Sequence, residues 1–201
     1  MAHQLTRRDT GQAGTPEVAT PVDGATSHHL IHSKLKPPHA AATCIDRPTL
    51  LAKLDAMSKH KLTLLTAPIG SGKTTLLTQW HQRVNPEQAI AWLSLDDADD
   101  DPMRLFSYLI AAVRVVCPSF DAHIAHGHDT SDASNASSSI FIAALCRLDR
   151  PLTLVLDDVQ CVNSPALIRA IDTVLQRSPD QVRWILCGRG LPTLHMTQLR
   201  L

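Results

Sequence analysis

A strand, loop and helix pattern between residues 62 and 75 constrains this chain more than any other feature. Leu62 to Thr66 is an apolar, β-prone run, and it breaks into a Pro/Gly loop that ends in Gly-Lys-Thr-Thr. Gly70 and Gly72 let the backbone approach an anion closely, in dihedral regions that other residues avoid. A loop of this kind presents backbone N–H groups to a polyphosphate, and the following helix adds its positive N-terminal end. The pattern therefore predicts a site for the phosphates of a nucleotide.

The residue types in this loop predict separate roles. Lys73 is placed to reach the β- and γ-phosphates, and the Thr74 hydroxyl can take one coordination position on Mg²⁺. The complete G-x-x-x-x-G-K-[ST] pattern begins with Gly, whereas this chain has Ala67 there. A glycine-rich turn without any ligand is the alternative interpretation. The residues expected to contact the nucleotide are Ala67, Pro68, Ile69, Gly70, Ser71, Gly72, Lys73, Thr74 and Thr75.

A second buried strand predicts the other half of such a site. Residues 151–160 read PLTLVLDDVQ, an apolar run followed by two carboxylates. A run this apolar is typical of a parallel strand covered on both faces, and it puts Asp157 at the carboxyl end, where open α/β sheets bind ligands. In P-loop NTPases an aspartate at this place holds Mg²⁺, and Asp158 then stands where a water-activating residue is expected. A solvated Asp-Asp turn is the alternative.

Apolar periodicity predicts strands and helices that alternate along the chain, which is typical of a parallel, three-layer α/β fold. Residues 117–138 are rich in Ser, Asp and His and are interpreted as a loop. The acidic run before Pro102 favours the positive end of the helix that begins there. Strands are predicted at 62–66, 89–95, 152–157 and 182–187, and helices at 48–58, 74–85, 102–116 and 139–148, with a further helix that opens at Pro165 after Ser164 as N-cap.

Together these motifs resemble the NTPase domain of the MalT-type transcriptional activators of the LuxR family, which belong to the STAND signalling ATPases. The loop APIGSGKTT at 67–75 is similar to the loop of that family, which also accounts for Ala67. The other motifs of the resemblance are KLKPP at 34–38, RPTLL at 47–51, QW at 79–80, AWLSLDDADDDP at 91–102, LVLDD at 154–158 and CGRGLPTLHMTQLR at 187–200.

The resemblance implies a fold and two further roles. The fold is a three-layer P-loop NTPase of the ASCE/STAND type with a mostly parallel sheet in the strand order 5-1-4-3-2. Arg189, directly after the last predicted strand, is implied to sense the γ-phosphate. A surface arginine in a Gly-Arg-Gly turn is the alternative interpretation of Arg189. Arg47 is implied to lie near the base or ribose.

The resemblance also predicts how the chain is divided. Residues 1–33 lack periodicity and are expected to be a disordered leader, and residues 34–201 are expected to form the NTPase domain. Because the chain stops about where the fifth core strand should begin, that strand and the lid are expected to be missing. No basic recognition helix is found, so direct DNA binding is not expected from this chain. Association with copies of itself or with related NTPases is the expected kind of oligomer.

Composition agrees with this interpretation. Nineteen basic and nineteen acidic residues balance, which argues against a broad electrostatic surface for nucleic acid or membrane. Five scattered Cys without a C-x-x-C pair are typical of a reducing compartment. With no apolar run long enough to span a bilayer and no secretory signal, the sequence predicts a cytoplasmic protein without a membrane partner.

The sequence therefore predicts a switch module that binds ATP and Mg²⁺ and hydrolyses ATP slowly. Lys73, Asp158 and Arg189 are the predicted catalytic residues, and Thr74 and Asp157 are the predicted Mg²⁺ ligands. One alternative is a fragment without enzyme activity that acts only by docking to intact relatives. Another is a different P-loop ATPase or a kinase.

Overall fold

A computed structural model of the chain describes residues 30–39, 44–84, 86–122 and 130–190, with side chains omitted for 130–134. Its strands are β1 (Leu62–Thr66), β2 (Ala89–Ser94), β3 (Leu152–Asp157) and β4 (Val182–Gly188). All neighbouring strands are parallel, and their order across the sheet is β1-β4-β3-β2. This order confirms the predicted order for the four strands that the structure describes.

Within the described residues, five α-helices connect or flank these strands. The parallel strands need crossover connections, and helices provide them. The helices are α1 (Pro48–Met57), α2 (Lys73–Arg83), α3 (Pro102–Val116), α4 (Thr130–Cys146) and α5 (Pro165–Arg177), and short 3-10 turns cover His32–Leu35, Asp97–Asp99 and Val159–Cys161.

Two hydrophobic clusters cover the two faces of the sheet. Successive side chains of a strand point to opposite faces, and on β3 Leu154 joins one cluster while Val155 joins the other. The larger cluster includes buried residues of α3, α4 and α5, and the smaller one includes Leu51, Leu77 and Trp80 from α1 and α2. Helices therefore lie on both faces of the sheet, which confirms the predicted three-layer α/β class.

The predicted helix starts at Pro102 and Pro165 occur as expected, and each is capped by the residue before it. Asp101 accepts a hydrogen bond from the Arg104 backbone N–H at 2.8 Å, and Pro102 is the first residue of α3. Ser164 accepts one from the Leu167 N–H at 3.2 Å ahead of Pro165. Each of these bonds satisfies a backbone donor that the first turn of a helix leaves free.

The prediction of a loop at 117–138 and a short helix at 139–148 is wrong in its boundaries. α4 begins at Thr130 and ends at Cys146. Phe141 and Leu145 are completely buried in the larger cluster, and the helix that they anchor extends toward the N-terminus through a serine-rich stretch. Serine costs only about 0.5 kcal/mol relative to alanine in a helix, so tertiary packing overrides its preference for loops. Composition alone therefore misplaced the start of this helix.

The boundary of the predicted leader also differs from the structure. Residues 30–33 fall inside the predicted 1–33 leader, yet the Ile31 N–H donates to Tyr108 Oη at 3.2 Å and Leu30 packs against the larger cluster. Residues 30–33 therefore pack against the domain. The rest of the leader, and the predicted absence of a fifth strand and lid after Gly190, lie outside the described residues. Among the helices that the structure describes, none is long and apolar enough to cross a membrane.

Candidate nucleotide-binding site

The predicted site residues collect at the carboxyl ends of the strands. The loop after β1 lies beside the end of β4, because Thr66 is paired with Gly188 and the Ala67 N–H faces the Gly188 carbonyl at 3.4 Å. Asp157 ends β3, next to Ser94 on β2. Ligands of open α/β sheets bind at this edge. The sheet therefore brings the glycine-rich loop and the two aspartates to the same end of the molecule.

The loop has the backbone conformation that its glycines predict. Gly70 and Gly72 have φ values of 75° and 81°, in the left-handed region that glycine adopts without steric cost. Gly72 is also the N-cap of α2 and has no side chain to cap it. Ser71 Oγ is buried and finds no hydrogen-bond partner among the described residues. A buried hydroxyl without a partner is unfavourable, so the loop fits an anionic ligand that would accept this hydrogen bond.

Lys73, the first residue of α2, is folded back over this loop. Its Nζ donates hydrogen bonds to the Ala67 carbonyl at 2.8 Å and the Pro68 carbonyl at 3.1 Å. These are bonds from a charged donor to neutral acceptors, and Lys73 is half-buried. A phosphate would be a stronger partner, because it adds the attraction between opposite charges to the hydrogen bond. Lys73 thus lies at the loop where it is predicted to bind the phosphates.

The two predicted Mg²⁺ ligands lie close to each other. Asp157 is only 2% exposed, and its Oδ1 accepts a hydrogen bond from the Asp158 N–H at 3.1 Å. Burial raises the pKa of the Asp157 carboxyl, while the nearby Cys187 and Thr74 side chains act in the opposite direction. Burial also raises the pKa of the Cys187 thiol, and the Asp157 carboxyl adds to that rise. An oxygen pair of this kind, a carboxylate with a hydroxyl, fits the hard oxygen ligands that Mg²⁺ prefers.

Asp158 lies next to Asp157 but has a different environment. Its φ of 60° makes it the one described residue other than glycine with a positive φ. A non-glycine residue in this region carries a cost that is common at functional sites. Its Oδ1 accepts a hydrogen bond from Gln160 Nε2 at 2.8 Å, and Gln160 Oε1 accepts one from the Arg189 N–H at 3.0 Å. Arg189 is therefore adjacent to the site through its backbone, and its residue surface is exposed.

Arg47 also contacts the loop after β1. Its Nη1 donates to the Ser71 carbonyl at 2.9 Å, and its guanidinium group lies near Gly72. Beside this contact is a cavity of about 140 Å³, which is open to solvent. Its lining combines an exposed aliphatic side chain with amide and guanidinium groups: Ile45, Arg47, Gly72, Thr75, Leu76 and Gln79.

Sequence reasoning missed three contributors to this region. Gln160 and Cys187 contact the two aspartates, and Ile45 lines the cavity beside Arg47. Gln160 is two residues beyond Asp158, and this spacing is the signal that was available in the sequence. Cys187 lies on a neighbouring strand, so no local pattern links it to Asp157.

A second group of charges lies at the same end of the sheet. Lys34 Nζ forms ion pairs with Asp96 at 2.6 Å and with Asp99 at 2.5 Å, and Arg104 Nε reaches the other oxygen of Asp99 at 3.0 Å. Lys34 and Asp99 are buried, and the Tyr108 ring lies against both cations. Although burial lowers the pKa of Lys34, the hydrogen bonds to Asp96 and Asp99 outweigh it and raise that pKa. The charges in this cluster neutralise one another within the fold.

The parallel sheet, its order and the loop define this chain as an α/β domain of the P-loop NTPase class. A chain in the structure of Drosophila ORC bound to AT-rich DNA and Cdc6 has a similar fold, with a TM-score of 0.50 and 11% sequence identity. That similarity covers 71% of this chain and 46% of the other. No protein-family model matches the sequence.

The chain is related to the HTH-type transcriptional regulators MalT over most of its length, which confirms the resemblance seen in the motifs. It is 36% identical to the regulator of Cronobacter sakazakii and 35% identical to that of Klebsiella pneumoniae, each over 175 residues. The regulator of Yersinia enterocolitica is 34% identical. These matches cover 85% of this chain and 19% of each relative, so the chain spans about a fifth of their length.

Proposed function

We propose that residues 34–201 form an ATP-binding switch module related to that of the MalT regulators, in which the bound nucleotide sets the conformation. The observation that carries this proposal is the loop after β1. It combines two glycines at positive φ with a buried Ser71 hydroxyl that lacks a partner among the described residues. Backbone N–H groups in such a loop bind phosphate because they concentrate positive dipole ends on one anion.

Each part of the site has a role in this proposal. The backbone of 68–73 and the Lys73 ammonium would hold the phosphates, and Thr74 with Asp157 would hold Mg²⁺. The metal would neutralise charge on the β- and γ-phosphates. The Thr74 side chain is near enough to Asp157 to lower the pKa of its carboxyl, which fits two groups that share one ligand. Arg47 and the cavity beside it would receive the ribose or the base.

Hydrolysis is proposed to be slow. Asp158 would orient the attacking water and Arg189 would sense the γ-phosphate. An aspartate is one methylene shorter than the glutamate that many relatives use, so it positions a water less easily. A turnover number above the usual enzyme median of about 10 s⁻¹ would contradict a switch of this kind.

Partners and location are part of the same proposal. The module would act in the cytoplasm and associate with copies of itself or with related NTPases. It would not bind DNA directly, since the equal numbers of basic and acidic residues give no net positive charge to attract phosphate backbones. A mobility-shift titration at about 0.15 M salt checks this point, and a sequence-specific shift would contradict it.

Thermal unfolding with and without ATP·Mg²⁺ tests the proposal. A ligand that binds only the folded state stabilises it by about 2.7 kcal/mol at a hundredfold excess over Kd. The wild type should gain this stabilisation, and Asp158→Ala should retain it while losing turnover. A folded wild type whose unfolding does not respond to ATP·Mg²⁺ would exclude the proposal and favour a fragment that acts only by docking to relatives. Transfer of phosphate to an acceptor other than water would instead favour a kinase.

A further inference from the structure

A single glutamine side chain connects the loops that follow β3 and β4. Gln160 lies in the 3-10 turn after Asp158 and is half-buried. Its amide nitrogen donates to Asp158 Oδ1 at 2.8 Å, and its amide oxygen accepts from the Arg189 N–H at 3.0 Å. Both polar ends of one amide are therefore used, each on a residue that the proposed function assigns to catalysis.

The chemistry of the two partners determines how this amide is oriented. The Arg189 N–H can only donate a hydrogen bond, and the ionised Asp158 carboxylate can only accept one. The opposite orientation of the Gln160 amide would place its nitrogen against the Arg189 N–H donor and its oxygen against the Asp158 carboxylate acceptor. The bridge therefore exists in one orientation only.

The end of β4 is shaped around this glutamine. A Cβ atom placed on Gly188 would lie 2.8 Å from Gln160 Oε1 and 2.9 Å from Val159 Cγ2. Both distances are shorter than carbon atoms tolerate without rearrangement, so Gly188 leaves the space that the amide occupies. The turn also begins at Asp158 in its left-handed conformation, which directs the chain back toward β4. Gln160 thus occupies the space that a side chain at position 188 would need.

We propose that Gln160 is a positioning residue that holds the Asp158 carboxylate and links its placement to that of Arg189. This inference rests on the proposed function, because it assumes that Asp158 orients water and that Arg189 responds to the γ-phosphate. The hydrogen bond occupies one carboxylate oxygen of Asp158 and leaves the second oxygen for water. A shift at Asp158 is passed to the backbone at Arg189 through the same rigid amide.

Steady-state ATP hydrolysis separates a positioning role from a structural one. Gln160→Met keeps the length of the side chain but removes both hydrogen bonds. A hydrogen bond to a charged group is worth a factor of roughly 10 to 100, so kcat should fall by about that factor while KM for ATP changes less than about twofold. Gln181→Met is the matched control, because Gln181 also bridges through its amide, to the Leu148 carbonyl at 3.0 Å, but takes no part in the site.

Gln160→Glu separates the two hydrogen bonds of the bridge. A carboxylate on a side chain of the same length can still accept from the Arg189 N–H, but it cannot donate to Asp158. This variant should therefore lose kcat at least as far as Gln160→Met, again with little change in KM for ATP. A wild-type kcat in either variant, or a loss of kcat shared equally with Gln181→Met, would overturn the positioning role.

The link between the two loops is tested without nucleotide. The Asp158→Asn substitution should shift the amide resonance of Arg189 in NMR spectra of the otherwise wild-type chain, and it should have no such effect in the Gln160→Met background. An equal response in both backgrounds would overturn the link. A wild type that fails to bind ATP·Mg²⁺ would contradict the proposed function instead, and the Arg189 resonance would still decide whether the bridge exists.

Discussion

Two groups of lysine and aspartate lie at the same end of the sheet and use their charges in opposite ways. In the first, buried Lys34 is paired directly with Asp96 and Asp99. In the second, Lys73 donates only to backbone carbonyls, and the pKa of buried Asp157 is raised by burial. The first group is complete within the fold. The second keeps a cation and a carboxylate apart, each without an ionic partner in the contacts that the structure describes.

This difference distinguishes structural charge from functional charge. Buried charges that neutralise each other hold segments of the chain together, and here they join the turn at His32–Leu35 to the loop before α3. Buried groups that remain unpaired cost stability, and such groups concentrate at binding and catalytic sites. The Lys34 group should therefore respond to mutation as a stability element, and the Lys73 and Asp157 group as a ligand site.

The largest effect is expected for Asp99→Ala. The Asp99 side chain is 2% exposed and accepts from both Lys34 and Arg104. Removing one partner of a buried ion pair leaves uncompensated charge, so the free energy of unfolding should fall by about 3–5 kcal/mol. Chemical denaturation measures this loss directly. The affinity for ATP·Mg²⁺, measured at a temperature where the variant remains folded, should not change.

If Asp99→Ala loses less than about 1 kcal/mol in the free energy of unfolding, or loses much of its affinity for ATP, the distinction between the two groups would be wrong. Asp97→Ala is the matched control, because Asp97 lies in the same acidic turn and is exposed. Substitutions on the exposed surface are usually within about 0.5 kcal/mol of the wild type.

A smaller effect of opposite sign is expected for Asp157→Asn. Burial raises the pKa of Asp157, so the ionised group destabilises the folded state at neutral pH. That destabilisation is lost as the pH falls through the raised folded-state pKa toward the unfolded-state value. The variant should therefore be more stable than the wild type at pH 7, and the two should converge in acid. Binding of ATP to the variant should no longer depend on Mg²⁺.

Asp158→Asn provides the control for that substitution. Asparagine tolerates the left-handed conformation at this position, and the Asp157 carboxylate stays in place. This variant should therefore keep the Mg²⁺ dependence of binding. A lower stability of Asp157→Asn than of the wild type at pH 7 would show that Asp157 is satisfied within the fold, like Asp99.

The smallest effect is expected for an exposed ion pair beside the site. Arg83 Nη2 lies 2.7 Å from Asp46 Oδ1, and the two side chains are 50% and 60% exposed. Exposed pairs contribute about 0–1 kcal/mol, since water and salt screen them. Arg83→Ala should change the free energy of unfolding by no more than that, and the change should shrink further at 1 M salt. A loss as large as that of Asp99→Ala would show that an ion pair contributes the same free energy of unfolding whether it is buried or exposed.

The parts of the site that could be predicted are those carried by contiguous residues. The glycine-rich loop and Lys73 occupy one stretch of chain, and Asp157 follows one apolar strand. The residues that define each motif are therefore neighbours in the sequence. The sheet order followed from the family resemblance, because four parallel strands alone permit many orders. Ser164 was predictable as a cap because capping acts within one turn of a helix.

Long-range contacts account for what could not be predicted. Lys34 and Asp99 are 65 residues apart, and Gln160 and Arg189 are 29 apart, so no local spacing records either pair. The acidic run 96–101 looked uniform, yet Asp101 caps a helix, Asp99 binds Lys34, and Asp100 Oδ1 accepts from the Ser164 N–H. Tertiary packing assigned these separate roles to residues of the same type.

Equilibrium binding of labelled ATP with Mg²⁺ to the wild type and to Lys73→Ala is the most direct test of the central claim that the loop after β1 is a nucleotide site. Lys53→Ala, which removes an exposed lysine from α1, is the control. We expect saturable binding by the wild type and by Lys53→Ala, and no detectable binding by Lys73→Ala despite an unchanged unfolding curve without nucleotide. Equal binding by all three folded proteins, or binding by none of them, would contradict the claim.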